Sequence, residues 1–266
     1  MKKIILLIFA FLLSSSFVKA NDYFEYTIQG VEVKIFSLGK RDAPVDKLIF
    51  KDKSKAHSQA LMKNEHNLML IKDKNFIMLV DTGFTHTREL LKESLARFGV
   101  KFEDITHLVI THAHADHIGG ILNDKGGNNF PNASLLIDEK EYTFWTNSNN
   151  ELSKNALLIF KDKKQFFDHS KPLVNSKLHI KPIKAYGHTP GHNVISLDHD
   201  KFVFIADLVH VASIQFKNPD IAIAYDLDKD QAIKTRKEFL KDFEKNKSLI
   251  LGVHTPYIEF KSLKDF

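Results

Sequence analysis

There is no cysteine anywhere in the 266 residues. Disulfides, thiolate nucleophiles and thiolate metal ligands are therefore excluded, and the absence suits an oxidising compartment where a stray thiol is a liability. Any metal held by these side chains must be held by nitrogen and oxygen. Long apolar runs are also missing beyond the start: no segment after residue 20 reaches the roughly 20 residues a membrane-spanning helix needs. Low-complexity tracts and short internal repeats are absent. So is a strong charge of one sign. The formal net charge is +5, but the first 20 residues hold Lys2, Lys3 and Lys19 and no acid. The remainder carries 35 basic against 33 acidic residues, a net charge of +2 that gives no reason to expect nucleic acid as a partner.

What is present begins with an export signal. Lys2 and Lys3 precede the apolar stretch Ile4–Leu13, and small residues follow, ending Val18-Lys19-Ala20. The apolar run is too short to anchor the chain, so cleavage is expected, with a periplasmic or secreted protein starting near Asn21. Residues 21–266 are within the range of one α/β domain.

The stretch on which the rest turns is Thr111–Gly120, THAHADHIGG. Four potential ligands, His112, His114, Asp116 and His117, fall within six residues directly after the apolar run Leu108–Ile110. On an extended segment leaving a strand, positions 112, 114 and 116 face one side. His117 breaks the alternation, so a turn is expected there, with Gly119 and Gly120 allowing it to be tight. Neutral imidazole nitrogen and carboxylate oxygen are the donors that Zn²⁺ and similar divalent ions prefer.

Other histidines and aspartates stand at matching places. Gly187–His192, GHTPGH, follows the apolar strand expected at Leu178–Ala185; Asp207 follows Phe202–Ala206; His254 follows Leu249–Val253. Ligands of α/β sheets collect at the carboxyl ends of strands, so these groups are expected to converge.

The remaining pattern supplies the scaffold. Tyr26–Phe36 reads as a hairpin turning at Gln29-Gly30, and Leu68–Ile71 and Phe76–Val80 as strands, the second ending at Asp81-Thr82-Gly83. Leu90, Leu91, Leu95 and Phe98 recur at helical spacing before Gly99. Ser134–Ile137 and Val194–Leu197 are further strands, Glu139–Trp145 is a helix, and Leu249–Leu251 is the last strand. Asp228 is a suitable N-cap for a helix in which Ile233, Leu240 and Phe243 line one face. Gly39–Asn64 reads as a long polar loop or short helix that covers a pocket. Asn147–Lys177 reads as irregular, with one apolar patch at Ala156–Phe160.

Together these motifs resemble the metallo-β-lactamase superfamily: THAHADHIGG, the Asp81–Gly83 DTG, GHTPGH, the strand-end Asp207 and the late His254. Within it, Ala206–His210 with Gln215-Phe216, and Phe130–Ala133, are most similar to the methyl-parathion-hydrolase-like branch. The resemblance implies an α/β fold, an αββα sandwich of two mixed sheets with helices outside. It implies that His112, His114 and His188 bind one metal ion, that Asp116, His117 and His254 bind a second, and that Asp207 bridges them. Zinc is the leading expectation, with manganese or iron as alternatives. Asp116 would also orient the nucleophile, and Asp81 would support the ligand loop by a hydrogen bond. His192 and His210, beside ligands in sequence, could orient a ligand, donate a proton or satisfy a local hydrogen bond. The other histidines, His66 among them, read as solvated or structural.

Two divalent ions roughly 3.5–4 Å apart can share a water and lower its pKa from 15.7 towards about 7. The expected reaction is hydrolysis of small-molecule esters, lactones or phosphotriesters. A β-lactamase is the alternative within hydrolysis, against which the bridging Asp207 argues. A mononuclear iron sulfur dioxygenase of the same fold is the alternative from a different class.

Overall fold

A computed structural model describes residues 23–50 and 62–266. The expected export signal and the middle of the Gly39–Asn64 segment lie outside the described residues. In chain order the elements are β1 (Tyr23–Ile28), β2 (Val31–Ser37), β3 (Arg41–Asp42), β4 (Leu48–Ile49), β5 (Lys63–Asn64), β6 (Asn67–Lys72) and β7 (Ile77–Val80), then α1 (Arg88–Arg97), β8 (His107–Val109), α2 (Ala115–Ile118) and β9 (Ser134–Ile137). There follow α3 (Glu139–Thr146), α4 (Glu151–Leu158), β10 (Lys164–Phe166), β11 (Ile180–Lys184), β12 (Asn193–Leu197) and β13 (Phe202–Ala206). The chain closes with α5 (Ala212–Gln215), β14 (Ala222–Ile223), α6 (Lys229–Asn246), β15 (Leu249–Gly252) and β16 (Lys261–Ser262).

Two mixed sheets form the body. One runs β1-β2-β6-β7-β8-β9-β10, the other β11-β12-β13-β15-β16. Alternation along the strands sorts side chains between two cores. Met69, Ile71, Met78, Val80 and Val109 of the first sheet meet Ile180, Ile195, Phe204 and Leu251 of the second. On the outer face of the first sheet, Leu68, Leu70, Leu79 and Leu108 pack against Leu91 and Leu95 of α1 and Ala156 and Leu157 of α4. Val194, Val203, Ile205 and Ile250 pack outward against Leu240 and Phe243 of α6. Strands covered on both faces read as unbroken apolar runs, which is why the sequence showed them plainly. The arrangement is the αββα sandwich, a mixed α/β fold. Among the described residues no helix is long and apolar enough to cross a membrane.

Strand direction places the site. β11 and β13 are each antiparallel to β12, and β15 is parallel to β13. The carboxyl ends of β11, β13 and β15 therefore share one edge, where His188, Asp207 and His254 follow.

Several expectations need correction. The first hairpin turns where expected, with Gln29 and Gly30 both at positive φ, 53° and 79°, the pairing that suits a two-residue hairpin loop. The ligand loop, however, turns earlier than predicted: His114 is the N-cap of α2, so Asp116 lies in a helical turn rather than on an extended segment. Gly119 and Gly120 do form the expected tight turn, as the central residues between Ile118 O and Ile121 N–H at 3.1 Å, and they are also pressed by a neighbouring loop. A Cβ at Gly119 would lie 2.2 Å from Thr85 N and one at Gly120 2.5 Å from Thr82 O, so both are small because the Asp81–Thr85 loop packs directly on them. Residues 147–177 are not irregular throughout, since they hold α4 and β10. Leu90 is exposed on α1, and β16 follows β15 as a further strand.

Candidate metal centre

Three imidazoles converge first. His112 Nε2 is 3.1 Å from His114 Nδ1, which is 3.0 Å from His188 Nε2. Ligands about 2.0–2.1 Å from a tetrahedral zinc stand about 3.3 Å apart, so the spacing is that of a coordination shell. His188 is oriented from behind, its Nδ1–H donating to Asp226 Oδ1 at 2.9 Å. That bond leaves the Nε2 lone pair facing the other two rings.

The second group is Asp116, His117, Asp207 and His254, whose ligating atoms all lie within 4.8 Å of one another. His254 Nε2 is 3.2 Å from Asp116 Oδ2 and 3.2 Å from Asp207 Oδ2, and His117 Nε2 is 3.2 Å from Asp207 Oδ1. Asp207 also faces the first group, with Oδ2 3.7 Å from His112 Nε2 and 3.5 Å from His188 Nε2. It stands between the two.

Backbone strain aims Asp207 and a supporting carboxylate, Asp81. Asp81 and Ala206 both take positive φ, 61° and 45°, which costs a non-glycine residue free energy and collects at functional sites. The register of β13 against β15 shifts between Phe204 and Ala206, and such a bulge re-aims the residue that follows, here Asp207. Asp81 accepts from Thr111 N–H at 2.9 Å and Thr111 Oγ1–H at 2.8 Å, and its Oδ2 is 2.8 Å from His117 Nδ1.

The charges divide the site. Burial holds His112 well below its ordinary value, His114 down to about 4 and His188 down to about 3. His117 and His254 go the other way. Burial opposes their charge, but the Asp207 and Asp116 carboxylates outweigh it and raise His254 to about 9. Asp116 and Asp207 are themselves held below the carboxylate range, the imidazoles overriding burial. One half is thus a neutral nitrogen cradle and the other an acidic pair that draws in positive charge.

A divalent ion fits both. Buried His117 Nε2 and Asp207 Oδ1, 3.2 Å apart, have no well-aligned hydrogen-bond partner among the described residues, although such atoms are normally satisfied. Three neutral imidazoles aimed at one point cannot all satisfy one another, since each presents a single nitrogen there that is either a donor or an acceptor.

The remaining predicted residues separate. His210 Nε2 lies 3.1 Å from Asp207 Oδ2, and His188, Asp207 and His210 form a third grouping able to hold an ion. His192 does not face the centre as a donor: its Nδ1–H donates to Ala185 O at 2.8 Å and its Nε2 accepts from Asp207 N–H at 3.3 Å. It fixes the backbone from which Asp207 projects. His66, for which the sequence suggests a solvated or structural role, is fully buried beside the site. Its Nε2 is 3.1 Å from Asp116 O and its ring meets His254 edge-on at 5.9 Å. Asp226 and Glu141 were not singled out, because isolated carboxylates in polar surroundings carry no periodicity or motif. The flanks of the 39–64 segment are tied over this region: β4 pairs with β14, and Asn64 Nδ2–H donates to His210 O at 2.6 Å.

Comparison with known proteins places the fold. AidC, a dizinc quorum-quenching lactonase solved with a product, superposes with a TM-score of 0.79 at 27% identity over 90% of this chain and 92% of that one. AbOPH, a hydrolase in the beta lactamase superfamily, superposes at 0.80 with 24% identity over 91% and 92%, a likeness of fold. Among curated proteins, metallo-beta-lactamase domain-containing protein 1 of Xenopus laevis is 37% identical over 70 residues, 26% of this chain and 26% of that protein, so the match spans about a quarter of its length. The family model of the metallo-beta-lactamase superfamily matches residues 63–254, a span that contains every candidate ligand, and the chain belongs to that superfamily.

Proposed function

We propose that the chain is an exported, dinuclear metal-dependent hydrolase of ester-type bonds, acting on lactones, aryl esters or phosphotriesters, within the methyl-parathion-hydrolase-like branch. The observation that carries this reading is Asp207, whose Oδ2 lies within 3.7 Å of His112 and 3.5 Å of His188 on one side and 3.2 Å of His254 on the other. His112, His114 and His188 would hold one ion, Asp116, His117 and His254 the second, and Asp207 both. Divalent ions there, zinc foremost with manganese or iron as alternatives, would supply a water acidic enough to act as hydroxide near neutral pH and an electrophile for the substrate oxygen.

The chain's own groups do the rest. Asp207 fixes the separation of the two halves, and Asp116, reaching His254 and His117, orients the attacking water. The Asp81, Asp226 and His192 hydrogen bonds keep these groups in place, so they need little reorganisation during reaction. The rim is apolar. Tyr225 is exposed with its ring 5.9 Å from His210, and exposed Phe144 packs on Trp145, whose ring is 5.5 Å from His114. Such a rim suits a substrate with an apolar arm, and the dizinc lactonase AidC supports lactones as the first class to try.

The test joins metal analysis to initial rates on a phenyl ester, an acyl lactone, an aryl phosphotriester and a cephalosporin. Two ions per chain and hydrolysis of one or more of the first three are expected, with Asp207→Asn losing activity far more than stability. A preference for the cephalosporin, or one ion per chain with oxygen consumption, would overturn the reading.

A further inference from the structure

Glu141 is fully buried near the start of α3 and accepts four hydrogen bonds. Oε1 takes Ala113 N–H at 2.8 Å and Trp145 Nε1–H at 2.6 Å; Oε2 takes Thr189 Oγ1–H at 2.7 Å and Gly191 N–H at 2.8 Å. All four partners are neutral donors. Ala113 lies between His112 and His114, Thr189 follows His188, and the Trp145 ring meets His114 edge-on at 5.5 Å. Every histidine of the nitrogen cradle thus hangs from a loop or ring tied to this one carboxylate. α4 completes the hold on the Ala113 peptide, since Ser153 Oγ–H donates to Ala113 O at 2.7 Å. The contact with the second loop is direct: a Cβ at Gly191 would sit 2.4 Å from Glu141 N.

The acidic half is supported elsewhere. Asp81 serves His117 directly and touches the other half only through Thr111, whose hydroxyl is 3.3 Å from His112 Nδ1, while His66 serves Asp116; none of Glu141's bonds reaches Asp116, His117 or His254.

We infer that Glu141 is the positioning residue of the three-histidine half of the centre, setting the ion affinity of that half independently of the other. This rests on the two-ion reading above. A carboxylate is required because its neighbours are donors on both oxygens. A glutamine must turn its amide group toward one pair. Ala113 N–H and Trp145 Nε1–H offer no acceptor, whereas the Thr189 hydroxyl can reverse. The amide therefore settles toward Thr189 and strands Gly191 N–H, loosening the loop that carries His188 while the His112–His114 loop stays tied.

The experiment titrates the metal-free full chain with Co²⁺, followed by visible absorption. His188→Ala marks the equivalent that belongs to the three-histidine half, and His254→Ala marks the other. Glu141→Gln is expected to weaken the equivalent marked by His188→Ala by about 10–100-fold, the usual scale for groups that orient ligands, and to leave the other unchanged. Thr189→Val, which removes one donor without changing shape, should weaken the same equivalent by a smaller factor and decides the matter if Glu141→Gln does not fold. Equal weakening of both equivalents, or an unchanged titration, overturns the inference. A wild type that binds one equivalent refutes the two-ion reading instead; the inference is then decided on that equivalent, and unchanged affinity in Glu141→Gln overturns it.

Discussion

Asp226→Asn tests how His188 is held. Asp226 is 1% exposed; its Oδ1 accepts from His188 at 2.9 Å, its Oδ2 accepts from Ile223 N–H at 3.0 Å, and Arg236 Nη2 lies 3.7 Å from Oδ2. Burial pushes this carboxyl up, but the hydrogen bonds it accepts, foremost that from His188, outweigh it and hold it below its ordinary value. Asparagine can keep only one side of this arrangement. With its oxygen toward His188, its amide group faces the Ile223 N–H and the Arg236 guanidinium, donors against donors. Turned over, it donates to His188 Nδ1 and drives the ring proton to Nε2, the nitrogen that must be bare to bind metal.

The first orientation leaves a buried donor unsatisfied, at about 1–3 kcal/mol of fold stability. The second costs metal affinity, about 10–100-fold for an orienting partner of a ligating histidine, or about 1.4–2.7 kcal/mol. Arg236 keeps its bonds to Leu208 O, Pro219 O and Ile221 O in either case, so the fold survives. The assay pairs a zinc titration against a chromophoric chelator with a thermal melt of the metal-free protein. Weaker zinc binding by at least about tenfold is expected. Wild-type affinity with a lowered melting temperature would mark the first orientation, and wild-type affinity with an unchanged melting temperature would refute the proposed role.

Acid should destabilise the metal-free protein through His66. Burial, with the nearby His254 charge adding, pushes His66 from 6.5 down to about 3. Below pH 6.5 the unfolded chain takes up a proton that the folded one refuses, so stability is lost as pH falls from 6.5 towards 3. Urea unfolding at pH 7.5 and 5.5 should show His66→Gln losing about 1.4 kcal/mol less than wild type over that interval, and equal losses would contradict it. At the other end of the chain, exported protein should start at or near Asn21 by intact mass, because Val18-Lys19-Ala20 places small residues at the cleavage positions; an exported product keeping Met1–Ala20 would contradict it.

What could be read without coordinates was whatever local sequence encodes. Apolar runs such as Leu68–Ile71 and Phe202–Ala206 marked strands because both of their faces are covered. Asp228 marked a helix start because its side chain accepts from Gln231 N–H. The crowding of His112, His114, Asp116 and His117 marked a candidate centre because four donors in six residues have few other uses. Local pattern failed where burial is not apolar. α4 buries Ser153 beside Ala156 and Leu157, and β10 is a short edge strand with two exposed residues, so neither had a clean period. It also failed where a residue acts through space. Asp226 lies 38 positions beyond His188 and Glu141 lies 50 before Gly191, in segments with no motif. Their carboxylates acquire partners only once the strand ends share one edge and α3 is seated against the loops. The ligands belong to the sequence, while the hydrogen bonds that aim them depend on distances only the packed sheets and helices set.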